Sequence, residues 1–232
     1  MLILITGASK GIGFELVRKM AIDPGNLIIA VSRNVKPLLS YVKENNTHSI
    51  LPLKADITSP VQRKKIFQTI KSLALSVDII INNAGEIVNK PFEKISEADL
   101  KSVYNTNVFA PFMLIQTLLP LFNKKRKNHI VNISSMGGFQ GSSKFPGLSA
   151  YSSSKSALSG LTECLAEEFK NKSISVNCLA IGAVQTEMLN KAFPGYKAPI
   201  TAVEMAEFIS DFALNGHRFF NGKIIPVSSS TP

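Results

Sequence analysis

Tyr151 and Lys155 stand four residues apart in the serine-rich stretch SAYSSSKSAL. On a helix, positions i and i+4 share one face, one turn apart, so a phenol and an ammonium would project side by side. A tyrosine hydroxyl titrates near pKa ~10 and is a poor base at neutral pH when unaided. A nearby ammonium favours the phenolate and is expected to lower that pKa. The pair suits proton transfer to or from the oxygen of a carbonyl or an alcohol. Ala157, Leu158, Leu161, Leu165 and Phe169 fall at helical spacing and predict a buried stripe on a helix over 151–170.

A second chemical signature opens the chain. The apolar run Leu2–Ile5 leads directly into TGASKGIGFEL, with glycines at Gly7, Gly11 and Gly13. Gly7 permits a tight turn, Gly11 lets a pyrophosphate approach the backbone, and Gly13 lets the following helix pack close to the sheet. The helix presents free N–H groups and its positive end to phosphates, which makes the segment a dinucleotide-binding turn. An acidic residue at the end of the second strand would hold a ribose 2′-hydroxyl, but no acid occurs between Pro24 and Lys43. Arg33 takes that place and Lys10 sits inside the glycine turn. Two cations there predict a 2′-phosphate, hence NADP(H) in preference to NAD(H).

These residues need a frame to hold them, and the chain supplies one. Ile/Val-rich strands are predicted at Leu2–Ile5, Leu27–Val31, Ile50–Leu53, Val77–Ile81, His129–Ile133, Ile174–Leu179 and Lys223–Val227. Helices are predicted at Gly11–Ala21, Val35–Glu44, Pro60–Leu75, Glu97–Phe122, Tyr151–Lys170 and Ala202–Leu214. Runs such as DIIIN lack polar alternation and fit strands buried on both faces, the condition of a parallel sheet. Alternating strand and helix predict an α/β fold: a doubly wound sheet with helices on both faces, one domain over residues 1–232.

Composition narrows the function classes. A hydrophobic fraction of 45% across 232 residues supports a large core. The opening MLILIT is too short for a signal peptide or a membrane span, and no other apolar run approaches transmembrane length, so a soluble cytoplasmic protein is expected with no membrane role. Cys164 and Cys178 are read as reduced core residues. His48, His129 and His217 lack metal-ligand spacing, and no metal is expected. The net charge of +10 concentrates in NKKRKN (123–128) and RKK (63–65). Neither run contains an aromatic, so they read as solvated helix ends that complement helix dipoles, or as a contact for an acidic partner, not as a nucleic-acid site.

Taken in order, TGASKGIG, NNAG (82–85), NTNV with Asn107, NISS with Ser135, and YSSSK with Tyr151 and Lys155 resemble the short-chain dehydrogenase/reductase family over essentially the whole chain. The resemblance implies a Rossmann-type fold with seven parallel strands and a cofactor across their carboxyl ends. It places Ser9 and Ile12 in the phosphate site, Asp56 at the adenine, and Asn83, Ala84 and Gly85 along the cofactor. Val184 and Thr186 would hold the nicotinamide carboxamide. It further implies that Tyr151 is the acid/base, that a positively charged nicotinamide helps lower its pKa, and that Lys155 tunes it and holds the nicotinamide ribose. Ser135 would stabilise charge on the substrate oxygen, and Asn107 would hold a water that relays protons to Lys155.

Some segments depart from the family pattern. Ile181 replaces the usual proline in AIGAV, the segment between Ser135 and Tyr151 is long, the loop 187–200 is short, and the carboxyl end GKIIPVSSSTP lacks the usual Gly-Gly. The expected function is an NADP(H)-dependent carbonyl reductase or alcohol dehydrogenase acting on a small molecule. A 3-oxoacyl group on an acidic acyl carrier protein is one substrate, docked by Lys124–Lys127. The alternative is a non-catalytic NADP-binding regulatory module. A homodimer or homotetramer is implied by the resemblance.

Overall fold

A computed structural model describes residues 1–228; the remaining four residues of the carboxyl-terminal segment lie outside the described residues. Along the chain run β1 (Leu2–Thr6), α1 (Gly11–Met20), β2 (Leu27–Ser32), α2 (Lys36–Glu44), β3 (Ile50–Lys54), α3 (Pro60–Ser72) and β4 (Ile79–Asn82). Next come α4 (Glu97–Tyr104), α5 (Ala110–Leu118), β5 (Asn128–Ser135), α6 (Ser149–Glu168) and β6 (Ile174–Ile181). A short unit of β7 (Val184–Gln185), α7 (Glu187–Ala192) and β8 (Ile200–Thr201) follows, before α8 (Ala202–Asn215) and β9 (Ile224–Val227).

Seven strands form one sheet in the order β3-β2-β1-β4-β5-β6-β9, and every neighbouring pair is parallel. This is a single Rossmann-type α/β domain. Successive side chains of a strand point to opposite faces, and β1 illustrates the result. Leu2 and Leu4 enter a core with Ile66 and Ile70 of α3, Leu114 of α5 and Leu165 of α6. Ile3 and Ile5 enter the other core, with Leu16 and Val17 of α1 and Met205 and Ile209 of α8. All five residues of β1 are buried. A strand covered on both faces has no use for polar alternation, which is why these runs are continuous in Ile, Leu and Val.

Three expectations change. The single helix over 97–122 is instead α4, a π-turn at Asn105–Phe109, α5 and a 3-10 turn at Leu119–Leu121. At the turn the Ala110 N–H bonds the Asn105 carbonyl, five residues back, and Pro111 has no N–H for the carbonyl of Asn107. Val77 does not belong to β4: it makes an isolated bridge to Phe122, and the Asp78 carboxylate takes the Leu2 N–H at 2.8 Å. Cys178 is buried but Cys164 is exposed, because the buried stripe of α6 runs through Leu158, Thr162, Leu165 and Ala166.

Near the amino end of β5, His129 is buried in a fixed tautomer. Its Nδ1–H donates to the Ala213 carbonyl at 2.9 Å and its Nε2 accepts from Asn177 Nδ2 at 3.0 Å. The Asn177 amide is itself oriented, its Oδ1 accepting the Lys223 N–H at 3.1 Å. Burial pushes the His129 pKa from 6.5 down to about 4, the bond to Ala213 opposing. Between those values the unfolded chain binds a proton that the folded protein excludes, so stability falls as pH drops from 6.5 to 4. The cost is on the order of 3 kcal/mol. Thermal unfolding followed across that window will show a steep acid slope in the wild type and a flatter one in His129→Gln; equal slopes would contradict the assignment.

Candidate active site

The chain order of the sheet reverses between β1 and β4, and a crevice opens at the carboxyl ends of such strands. Here it is a cavity of about 560 Å³. Of the residues singled out in the sequence, Gly7, Ser9, Lys10, Gly11, Ile12, Gly13, Arg33, Asp56, Asn83, Ala84, Gly85, Tyr151, Lys155 and Thr186 line it. Val184 does not: its side chain is buried in the core beside α8. Asn107 and Ser135 stand just behind the lining.

The glycine turn is held by close contact. Gly7 and Gly11 have φ of 67° and 53°, in the left-handed region that favours glycine. A Cβ on Gly13 would lie 2.3 Å from the Gly7 carbonyl oxygen and 2.5 Å from Asn83 Nδ2, so α1 enters against the backbone itself. Thr6, which sequence reasoning passed over, fastens the turn to β4. Its hydroxyl accepts the N–H of Asn83 at 3.1 Å and of Ala84 at 3.0 Å. Asn83 Nδ2 returns bonds to the carbonyls of Thr6 and Gly7.

The residues present fit a dinucleotide. Helices α4 and α8 begin with capping boxes, whereas α1 has no side-chain cap and no acid in its first turn. Its first residues, Gly11, Ile12 and Gly13, line the cavity, and among the described residues no anionic side chain caps them, as a phosphate site requires. At the adjoining end of the cavity, Ser32 donates to Ser9 Oγ at 2.8 Å, which joins the end of β2 to the glycine turn. Lys10 is not a free cation: it pairs with Glu187 of α7 at 2.6 Å. Asp56 accepts from the N–H and hydroxyl of Thr58, at 2.9 and 2.7 Å.

Around Tyr151 the two adjacent serines divide. Ser134 Oγ donates to the Lys155 carbonyl at 2.9 Å and is buried, so it braces α6 against β5. Ser135 accepts the Gly137 N–H at 3.2 Å and acts on the Tyr151 hydroxyl to lower its pKa. Lys155 Nζ donates to the Ile133 carbonyl at 2.8 Å and lies 5.8 Å from the Tyr151 ring centre. Burial raises the Tyr151 pKa, the Ser135 bond opposing it. This corrects the expectation of a lowered value: in the protein alone, desolvation outweighs the opposing effect of Ser135. Burial also lowers Lys155, to about 8.

Asn107 is fully buried. Its Oδ1 accepts the Glu86 N–H at 2.8 Å, and its Nδ2 donates to the Glu86 carbonyl and to Ser154 Oγ, both at 2.9 Å. Glu86 in turn accepts from Ser102 and Thr106. Glu86 and Ser154 carried no signal in the sequence, because their partners come from other segments. Ile181, the residue in place of the usual proline, ends β6, pairs with Val227, and lines the cavity.

Known proteins resemble this chain in sequence and fold. The family description "short chain dehydrogenase" matches residues 1–197. Nodulation protein G of Rhizobium sp. (strain N33) is 29% identical over 97% of this chain and 94% of its own. A 3-oxoacyl-[acyl-carrier-protein] reductase of Thermotoga maritima is 32% identical over 81% of this chain and 76% of its own. Among solved structures, 4-hydroxyisoleucine dehydrogenase complexed with NADH superimposes with a TM-score of 0.87 at 27% identity, covering 99% of this chain and 97% of that one. A mutant of that enzyme with NADH and succinate gives 0.88 at 26%, covering 100% and 98%. These complexes hold NADH and overturn the expected preference for NADP(H). The argument from charge counted Lys10 as free, whereas Glu187 already neutralises it.

Gly13→Ala will weaken nicotinamide-dinucleotide binding by at least about tenfold, since the added methyl must push apart two backbone segments. Titration of NADH fluorescence checks this, and unchanged affinity would show that the close packing does not shape the site.

Proposed function

Because the chain belongs to the short-chain dehydrogenase family, we propose that it moves hydride between NAD(H) and the carbonyl or secondary alcohol of a small molecule. The observation that carries the reading is the half-buried Tyr151, one helical turn from Lys155 at the edge of the glycine-turn cavity, with Ser135 at the end of β5 acting on its hydroxyl. A regulatory module that only bound the dinucleotide would have no chemical need of all three side chains.

The nicotinamide, when bound, supplies or accepts the hydride. Tyr151 keeps its proton at neutral pH, because burial holds its hydroxyl above the usual value, and it acts as proton donor to a carbonyl oxygen. Ser135 provides a second donor for the negative charge that develops there. Lys155 holds the nicotinamide ribose and faces Tyr151. The Asn107 side chain is wholly engaged with Glu86 and Ser154, so its role in holding a relay water falls to its backbone carbonyl, which Pro111 leaves without the usual helical partner. Thr186 packs opposite Gly11 and borders the cofactor.

A 3-oxoacyl thioester is one member of the substrate class, given the carrier-protein reductases among the relatives. Lys124–Lys127 lie before the amino end of β5, which spans 8 residues, roughly 25 Å, before reaching Ser135, so a carrier docked there would have to present its acyl group along that length. No helix among the described residues is long and apolar enough to cross a membrane, and a cytoplasmic enzyme fits the reading. Phe109, Phe112 and Met113 are exposed beside the π-turn, in keeping with a homodimer or homotetramer.

In a ketone panel followed by NADH oxidation, Tyr151→Phe is expected to bind NADH almost normally and to lose at least ~10²-fold in turnover. Ser135→Ala is expected to lose on the order of 10²-fold. Near-normal turnover of Tyr151→Phe would refute the proton-donor role.

A further inference from the structure

Lys10 and Glu187 both line the cavity and pair at 2.6 Å, although they are 177 residues apart in sequence. Lys10 is the residue just before α1, and Ser9 beside it bonds Ser32, the neighbour of Arg33. Lys10 and Arg33 thus flank one end of the cavity, where a ribose carrying a 2′-phosphate would meet both cations. The Glu187 carboxylate pairs with one of the two.

We propose that Glu187 is a specificity-determining residue: by occupying Lys10 it denies the site its second cation and disfavours a 2′-phosphorylated dinucleotide relative to NAD(H). The inference rests on the reading of the cavity as a nicotinamide-dinucleotide site. The Lys10 and Glu187 side chains are 61% and 70% exposed, so the pair is weak and contributes little to folding. The 2′-phosphate of a bound dinucleotide would have to compete for Lys10 against this carboxylate. Glu187 is the first residue of α7, whose cap is Thr186 accepting from Leu189 N–H at 3.2 Å. The isosteric amide therefore leaves the helix start intact.

The test is the ratio of dissociation constants for NADH and NADPH, measured by fluorescence or calorimetric titration without substrate. Glu187→Gln is expected to shift the ratio toward NADPH by about fivefold, the effect of one exposed ion pair of ~1 kcal/mol. In a Lys10→Met background the same change is expected to have no effect on the ratio. Equal changes for both dinucleotides would overturn the proposal, as would a full shift that persists without Lys10. Wild-type protein that binds NADPH more tightly than NADH would refute the NAD(H) reading, whereas the role of Glu187 is judged on the change between variants alone.

Discussion

The site depends on the contact between two backbones at the centre of the sheet. Where β1 ends and β4 ends, the chain leaves no room for a methyl group: the Gly13 Cβ position lies 2.3 Å from the Gly7 carbonyl oxygen, and the Gly7 position 2.8 Å from Ala84 Cα. The Thr6 hydroxyl and the Asn83 amide close that contact with four hydrogen bonds. Only with the two turns locked together can α1 aim its uncapped N–H groups into a cavity whose other walls come from α6 and α7. A looser junction would leave the same residues present but too far apart to act on one ligand.

From that junction the chemistry extends along β4 and β5. The segment after Asn82 is fastened to the π-turn by Asn107, whose side chain spans both backbone groups of Glu86. Ser154 links the same asparagine to α6, and Lys155 on that helix reaches back to Ile133 of β5. Tyr151 is thus located by a circuit of bonds through three elements, and the irregular turn at Asn107 is one of its members. A regular helix through 105–109 would carry Asn107 to a different height and break the circuit.

The sequence made the sheet legible because its strands are buried on both faces and read as unbroken Ile/Val/Leu runs. It made most of the cavity legible because Gly7, Gly11, Gly13, NNAG and Tyr151–Lys155 are local patterns. Features built by long-range pairing stayed hidden. Glu187 could not be matched to Lys10 from spacing, and the charge count therefore favoured the wrong cofactor. Glu86 and Ser154 acquire meaning only once Asn107 faces them. Helical periodicity runs smoothly through 97–122, so the π-turn left only Pro111 as a trace. Cys164 sat among apolar letters, yet the face of α6 that carries it is turned to solvent.

Burial acts on Tyr151 and Lys155 with one cause and opposite signs. It penalises charge, so the neutral phenol holds its proton more tightly while the cationic amine releases its own more readily. In water the order is narrow, with tyrosine at 10.0 and lysine at 10.5. In the site it reverses: Tyr151 lies above its usual value and Lys155 falls to about 8. A phenolate left behind after Tyr151 gives up its proton is then a stronger base than the amine beside it.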